Sequence, residues 1–360
     1  MSNVEQNLAP KTVRKREDYW DLIRGICIFF VFIGHAIGGW NFLTGDVMVP
    51  VDTFLFNHWI FQRGLVNICV PVFIFISGYM MSEKSFGSTL SFYKKRLLRF
   101  VVPFVIWTLI YSLIESFVYH NKVTWISVLL GTNGIQLYYL VVMFQLILLT
   151  PVFFLAKNKK IVLILSIVIN LINNAYHVFY IYMTGNKFSN DTLLATCFVS
   201  YYVLGLYFRN VKTDLLKKVN LFRAVSLFII GYLGVVCAAY LTLNVTMNPR
   251  VGVTIVKISS LLFGYITFVL IMTAKERMVG WDGKKNFLTR GLCWVGRHSM
   301  DFFLFHWVVE NYVKTWFIAN VVPEHMFWSN CAIIALTTAA CVIYSVIADL
   351  VRKCLLKKAV

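Results

Sequence analysis

Arg24 and His35 are ionisable side chains within the hydrophobic run at 19–40. They are eleven residues apart, which on an α-helix is three turns, or about 16 Å along nearly the same face. Asp21 lies three residues before Arg24, a spacing at which a carboxylate can pair with a guanidinium. A positioned imidazole can act as a general base, and a cation on the same face can bind an anionic substrate group. We therefore take Asp21, Arg24 and His35 as candidate catalytic residues.

Each of these residues also has a structural explanation. Arg24 paired with Asp21 could extend its charged end toward the membrane surface. His35 could be a buried imidazole that bonds a carbonyl group. The spacing alone leaves these alternatives open.

A second group of candidates lies near the end of the next hydrophobic run and in the basic segment that follows it. Ser77 and Gly78 end that run, and a glycine lets another backbone or a substrate come close. Arg96 and Arg99 belong to a run of four cations in six residues, which could bind a polyanion such as the phosphates of a nucleotide. The same cations could instead only set the topology through contacts with lipid phosphates.

His306 is a second histidine within a hydrophobic run, and Ser299 lies two helical turns before it. An imidazole in this position could be a ligand, a proton relay or a structural donor. We keep His306 and Ser299 as further candidates. The spacing of the eight cysteines indicates apolar packing residues, and we predict no metal site.

The composition identifies the element that must position these groups. The chain has 360 residues, is 59% hydrophobic and only 14% charged, and has a mean hydropathy of +0.72, which excludes a water-soluble monomer. The apolar residues form runs long enough to span a membrane as helices. We predict an all-α membrane helix bundle with ten transmembrane helices, near 19–40, 64–82, 100–119, 137–156, 161–181, 192–208, 222–243, 253–273, 299–319 and 326–350.

The distribution of positive charge sets the expected orientation. With the N-terminus in the cytoplasm, 27 of the 34 Lys and Arg residues fall in cytoplasmic segments, so the net charge of +18 reports topology rather than a nucleic-acid partner. We predict cytoplasmic tails at 1–18 and 351–360 around a membrane-embedded domain at 19–350, with a first span that is retained. The stretch 41–63 looks too polar to span and is expected to be an outer loop on or in the membrane interface.

Taken together, these segments resemble the integral-membrane acyltransferase-3 family, which includes O-acetyltransferases of bacterial surface polysaccharides. The resemblance covers nearly the whole chain, and the Arg24 to His35 spacing is its most specific element. The chain departs from the family at Tyr138-Tyr139, where the family usually has Trp-Phe. The other matching segments are Asp21 with Arg24-Gly25, Phe73 to Tyr79, Arg96 and Arg99 before Pro103, Leu137 to Leu140, and Gly296 through Ser299 to His306.

The resemblance implies acyl transfer from cytoplasmic acyl-CoA, most simply acetyl-CoA as a donor substrate, with no permanently bound cofactor. Its acceptor would be a hydroxyl of a carbohydrate or lipid-linked glycan, such as an exopolysaccharide, and its location the bacterial cytoplasmic membrane among membrane lipids. His35 takes the position of the family's essential histidine. We expect Arg96 and Arg99 to bind the CoA phosphates near Ser77 and Gly78, Arg24 held by Asp21 to line the path of the acyl arm, and His306 to support His35.

Two other functions are compatible with the same residues. The bundle could transport or export a polysaccharide or lipid-linked intermediate without covalent chemistry, with the buried charges along its path. It could also be a non-catalytic sensor or assembly partner. Consumption of acyl-CoA by the purified protein separates acyl transfer from both alternatives. No cation is obviously reserved for a second carboxylate, which favours acetyl over succinyl.

Overall fold

The computed structural model describes residues 17–37, 53–186, 188, 191–211, 216, 219–246, 249–252, 254–278, 286–320 and 326–358, and helices make up the regular structure of this part of the chain. The helices are α1 (Asp18–Ile37), α2 (Thr53–Val66), α3 (Cys69–Tyr79), α4 (Thr89–Phe117), α5 (Trp125–Leu130), α6 (Tyr138–Leu155), α7 (Lys159–Thr184), α8 (Val199–Asn210), α9 (Leu221–Thr246), α10 (Pro249–Gly252), α11 (Ile258–Arg277), α12 (Phe287–Arg297), α13 (Ser299–Asn320) and α14 (Met326–Lys358).

Helical segments long and apolar enough to cross a membrane number eight in the described residues. Each overlaps one of the predicted runs, so the prediction of an all-α, multi-pass membrane protein is confirmed. The segments are Asp18–Ile37, Ile60–Tyr79, Thr89–Phe117, Tyr138–Leu155, Lys159–Thr184, Leu221–Thr246, Ile258–Arg277 and Phe327–Cys354. The placement of both termini in the cytoplasm stays a prediction.

The other two predicted spans, 192–208 and 299–319, correspond to helices of a different kind. Helix α8 has 12 residues, or about 18 Å at ~1.5 Å per residue, against an apolar layer of about 30 Å. It lies largely buried inside the bundle. Helix α13 has 22 residues and is long enough to span, but it carries Asp301, Glu310 and Lys314. The total of ten spans therefore stays a prediction.

The segment expected to be an outer loop at 41–63 is in part helical. Helix α2 begins at Thr53, and the end of this helix belongs to the span Ile60–Tyr79. Apolar and aromatic residues separate the polar ones over 53–63, and the polar side chain of Arg63 turns inward to a cavity rather than to water. Residues 41–52 lie outside the described part of the chain.

Helix α12 was not predicted, and it lies against α1. Asn286 caps it, with its side-chain oxygen accepting a hydrogen bond from the backbone of Leu288 at 2.8 Å. The two helices touch backbone to backbone: a Cβ added to Gly25 would meet the carbonyl of Leu292, and one added to Gly296 would meet the carbonyl of Asp21. Two glycines of the acyltransferase-like segments thus let α1 and α12 pack closely beside Arg24.

Helices α3 and α8 make a second contact of the same type. A Cβ on Gly78 would meet the carbonyl of Tyr202, and one on Gly205 would meet the carbonyl of Phe75. The close backbone approach expected at Gly78 is therefore made by another helix of the protein. The core beside this contact is aromatic, with Phe75 and Phe268 stacked at 4.5 Å between ring centroids.

Candidate active site

A cavity of about 380 Å³ lies beside the C-terminal part of α1. Gly34 and His35 of α1 line it together with Arg63 of α2 and Phe303 of α13. Its remaining walls include residues 131–132, 134–136, 192–193 and 254–255, from connections at the end of the bundle opposite to Arg24. A cavity of this size with a few polar side chains matches the usual form of a small-molecule site.

His35 presents its imidazole to this cavity and makes no hydrogen bond with a described residue. Its ring lies 5.4 Å from the ring of His306 and 5.0 Å from that of Trp307, measured between centroids. The second ring stands edge to face against the imidazole and limits its rotation. The nitrogens of His35 are thus available to an incoming hydroxyl group.

His306 is fully buried and held by the backbone of its own helix. Its Nδ1 lies 2.8 Å from the carbonyl oxygen of Phe303 and 3.1 Å from that of Phe302. Because a carbonyl only accepts, the proton is assigned to Nδ1 and Nε2 becomes an acceptor. That Nε2 is buried without a hydrogen-bond partner among the described residues. His306 therefore offers a fixed acceptor beside His35.

Arg63 is a cation in this cavity that sequence reasoning assigned to an outer loop. Its Nη1 donates a hydrogen bond of 2.6 Å to the carbonyl oxygen of Gly34, the residue next to His35. Its Nε is buried without a hydrogen-bond partner in the described part of the chain. The space beside Gly34 is occupied by Arg63, since a Cβ there would lie 3.3 Å from Nη1.

Glu310 and Lys314 form a charged layer on the side of α13 that faces α1. Glu310 is fully buried, and neither carboxylate oxygen has a hydrogen-bond partner among described residues. Lys314 is four residues later, interacts with it electrostatically, and places its Nζ 4.6 Å from the centre of the Trp307 ring. Neither residue was among the candidate site residues chosen from the sequence.

Arg24 and Asp21 form the expected ion pair at the other end of α1. Arg24 Nη1 lies 3.2 Å from Asp21 Oδ1, the carboxylate is fully buried, and the guanidinium is 20% exposed. The partner fixes the cation while leaving part of it open to solvent. The pair and His35 thus lie at the two ends of one helix, as the spacing predicted.

A row of aromatic rings, consisting of His306, Phe303 and Tyr139, connects the two ends. The centroids are 6.1 Å apart from His306 to Phe303 and 5.1 Å from Phe303 to Tyr139. Tyr139 interacts electrostatically with Arg24, and its hydroxyl lies 3.3 Å from that of Ser77. Ser77 is also tied to its own helix by a 2.8 Å hydrogen bond to the carbonyl oxygen of Phe73.

Arg96 and Arg99 lie on α4 in different surroundings. Arg96 is half-buried and interacts electrostatically with Arg99 and with Tyr202, whereas Arg99 is exposed. Tyr202 is itself buried and hydrogen-bonded to Thr150 at 2.8 Å. One of the two predicted phosphate-binding arginines thus turns into the bundle and the other remains at its surface.

Other cations gather around Tyr79, at the end of α3. Lys275 donates a hydrogen bond of 3.3 Å to the hydroxyl of Tyr79 and forms an ion pair of 3.1 Å with Glu17. Arg209 lies 5.6 Å above its ring. The ends of three helices therefore bring positive charge to the side of the bundle where α1 begins, as the predicted cytoplasmic side requires.

Ser299 is not close to this site. It is the first residue of α13, two turns before His306, and it does not line the His35 cavity. The structure therefore joins His35 with His306, and Arg24 with Asp21 and the Ser77–Tyr139 pair. Arg63 was missed as a site residue, because it reaches Gly34, the neighbour of His35, from another helix and sequence spacing holds no such information.

Comparison with known proteins gave one match. The family model Acyl_transf_3, described as an acyltransferase domain, matches residues 17–346. No curated protein and no solved structure matches the chain. The matched range contains the residues of both ends of α1 and of the aromatic row, and the resemblance seen in the sequence is confirmed.

Proposed function

The chain belongs to this acyltransferase family and is a membrane acyltransferase, and we propose that it moves an acyl group, with acetyl as the first candidate, from acyl-CoA to a sugar hydroxyl. The acceptor in this proposal is a cell-surface polysaccharide or exopolysaccharide, and the location is the bacterial cytoplasmic membrane. The observation that carries it is the arrangement along α1. An imidazole without a hydrogen-bond partner among described residues lines a cavity, three turns beyond a fixed cation.

His35 serves as the general base in this reaction. The acceptor hydroxyl gives its proton to His35 as its oxygen forms an ester bond with the acyl carbon. The carbon–sulfur bond of the thioester then breaks, and the proton passes from His35 to the leaving thiolate. A hydroxyl attacks poorly at neutral pH without such help, and general base catalysis contributes about 10²- to 10⁴-fold. His306, with its fixed acceptor nitrogen, supports the position of the imidazole.

The donor approaches from the end of the bundle where α1 begins. CoA carries its phosphates at one end and its acyl group at the end of a long arm. Arg96 and Arg99 bind the phosphates, and Arg24, held by the buried carboxylate of Asp21, lines the path of the arm. The acceptor enters through the cavity at the opposite end of α1. The two substrates thus meet at His35 from two sides.

The test measures acetyl transfer from labelled acetyl-CoA to purified surface polysaccharide by the protein in nanodiscs. His35→Gln should lower transfer by at least about 10²-fold and leave acetyl-CoA binding unchanged. His120→Asn is the control, because it removes an exposed imidazole and Asn tolerates the positive φ of 54° at that residue. Unchanged transfer by His35→Gln contradicts the catalytic role.

The phosphate-binding role has its own test. Arg96→Gln combined with Arg99→Gln should raise the KM for acetyl-CoA with little effect on kcat, while Lys160→Gln, which removes an exposed cation at the start of α7, should not. An unchanged KM for acetyl-CoA would indicate that both arginines only set the membrane topology. If the wild-type protein consumes no acyl-CoA, acyl transfer is contradicted, and the transport function and the non-catalytic function remain.

A further inference from the structure

The guanidinium of Arg63 has more donor groups than the described residues use. A guanidinium carries five N–H donors, and among these residues a hydrogen bond is formed only from Nη1, to the carbonyl of Gly34. Nε is buried without a partner, and no hydrogen bond joins Nη2 to a described residue. Nε and Nη2 together form the edge of the side chain that binds a carboxylate with two parallel hydrogen bonds.

The charge of Arg63 is not balanced by a carboxylate of the part of the chain that the structure describes, since none lies within 4.0 Å of its nitrogens. Arg63 acts electrostatically on two basic groups, Lys314 and His35. Glu310, the buried carboxylate of this region, interacts with Lys314.

A purely structural role does not require this cation. The link between α1 and α2 needs one donor to the Gly34 carbonyl, which a neutral amide side chain could also supply. Burying an unpaired charge is costly, so a cation in this place indicates an anion that arrives with a ligand.

The position of Arg63 distinguishes this anion from the CoA phosphates. Arg63 lines the His35 cavity, whose walls include residues 131–132 and 134–136, at the end of the bundle opposite to Arg24. The anion therefore belongs to the group that reacts at His35, either the acceptor or the acyl chain. Since Gly34 and His35 are adjacent, an anion bound to Arg63 is held beside the base.

We propose that Arg63 binds a carboxylate carried by one of the two substrates in the His35 cavity. The carboxylate is that of an acidic acceptor sugar, such as a uronic acid, or the second carboxylate of a dicarboxylic acyl group. This inference rests on the proposed acyl transfer and narrows its substrate class. It differs from the sequence-based preference for acetyl, because a cation without a carboxylate partner among the described residues does lie next to His35.

The test compares acidic and neutral versions of each substrate, with the full-length protein in nanodiscs. The acceptor pair is methyl glucuronoside and its uncharged amide, and the donor pair is succinyl-CoA and acetyl-CoA. The wild-type protein should prefer the acidic member of one pair by about 10- to 100-fold in kcat/KM, the range of a hydrogen-bonded charge pair. The pair that shows the preference identifies the source of the carboxylate.

Arg63→Gln should abolish that preference, because it should lower kcat/KM for the acidic member about 10- to 100-fold more than for the neutral member. Arg63→Lys, which keeps the charge but not the two parallel donors, should retain part of it. Lys122→Gln is the control, because Lys122 is an exposed cation in the connection between α4 and α5, on the same side of the bundle. Equal losses with acidic and neutral substrates, or no preference in the wild type, would overturn the proposal.

Equilibrium binding of the same probes provides a readout that does not depend on turnover. Protection of the wild-type protein from thermal unfolding should be greater with the acidic member of the responsive pair, and Arg63→Gln should remove the difference. A protein that keeps this preference but transfers no acyl group would overturn acyl transfer alone. A protein that transfers acyl groups without the preference would overturn the role of Arg63 alone.

Discussion

Replacement of Gly78 by Ala should separate α3 from α8. The new Cβ would meet the carbonyl oxygen of Tyr202 and lie 3.1 Å from its carbonyl carbon and 3.3 Å from the backbone nitrogen of Leu206. All three atoms belong to a backbone, so no side chain can turn aside, and overpacking of this kind costs about 1–3 kcal/mol. The change also gains about 1 kcal/mol of helix propensity, which partly hides the steric cost.

Gly234→Ala is a matched control that isolates that cost. Gly234 lies inside α9, and a Cβ there would have no heavy atom within 4 Å. Both substitutions gain the same helix propensity, so the difference between their unfolding free energies is the steric term. We expect Gly78→Ala to be less stable than Gly234→Ala by about 1–3 kcal/mol.

Unfolding of the purified protein in mixed micelles, followed by circular dichroism, measures this difference. Gly205→Ala should show a similar loss, because its Cβ would meet the carbonyl of Phe75 in the same contact. The double variant at Gly78 and Gly205 should lose less unfolding free energy than the sum of the losses of the two single variants, since helices already pushed apart accommodate both methyl groups. Equal stability of Gly78→Ala and Gly234→Ala would refute the backbone contact between α3 and α8.

Two further predictions concern the charged layer and the topology. Lys314→Met should lower the unfolding free energy by up to about 3–5 kcal/mol, because it removes the cation that acts on buried Glu310. Adding Glu310→Leu should restore most of the lost stability. A double variant as unstable as the single variant would contradict this pairing. With the exposed Cys237 and Cys331 replaced by Ser, a membrane-impermeant maleimide should label exposed Cys354 in inside-out vesicles but not in right-side-out ones, and the opposite pattern would reverse the predicted orientation.

The sequence predicted the eight candidate spans of the described residues, because length and apolar character are sufficient signals for them. Helix α12 was not predicted because its 11 residues are too few for a span, although Asn286 before it was a recognisable helix cap. The predicted start of the second span, at residue 64, was wrong for a related reason, since this span begins at Ile60. Polar residues at 53–63 were taken as evidence against a span, whereas Arg63 turns inward to a cavity and needs no water-exposed loop.

The candidate site was predictable only where it lies on one helix. The spacing of Asp21, Arg24 and His35 follows from helical geometry, and their ion pair forms as expected. The contact of Arg63 with Gly34 joins residues 29 positions apart on different helices, and the residue pattern of a single helix cannot predict such a contact. Gly78 illustrates the converse problem, since a glycine that admits a substrate and one that admits a neighbouring helix look the same in a sequence.

The row formed by His306, Phe303 and Tyr139 has a consequence for the energy supply of the cell. It stands between a guanidinium at one end of α1 and a cavity at the other. Packed rings exclude water and present a low-dielectric barrier to ions. With a polar cavity at one end of α1 and a guanidinium at the other, these rings keep the two polar regions electrically separate, so a bundle that transfers an acyl group between them need not conduct protons.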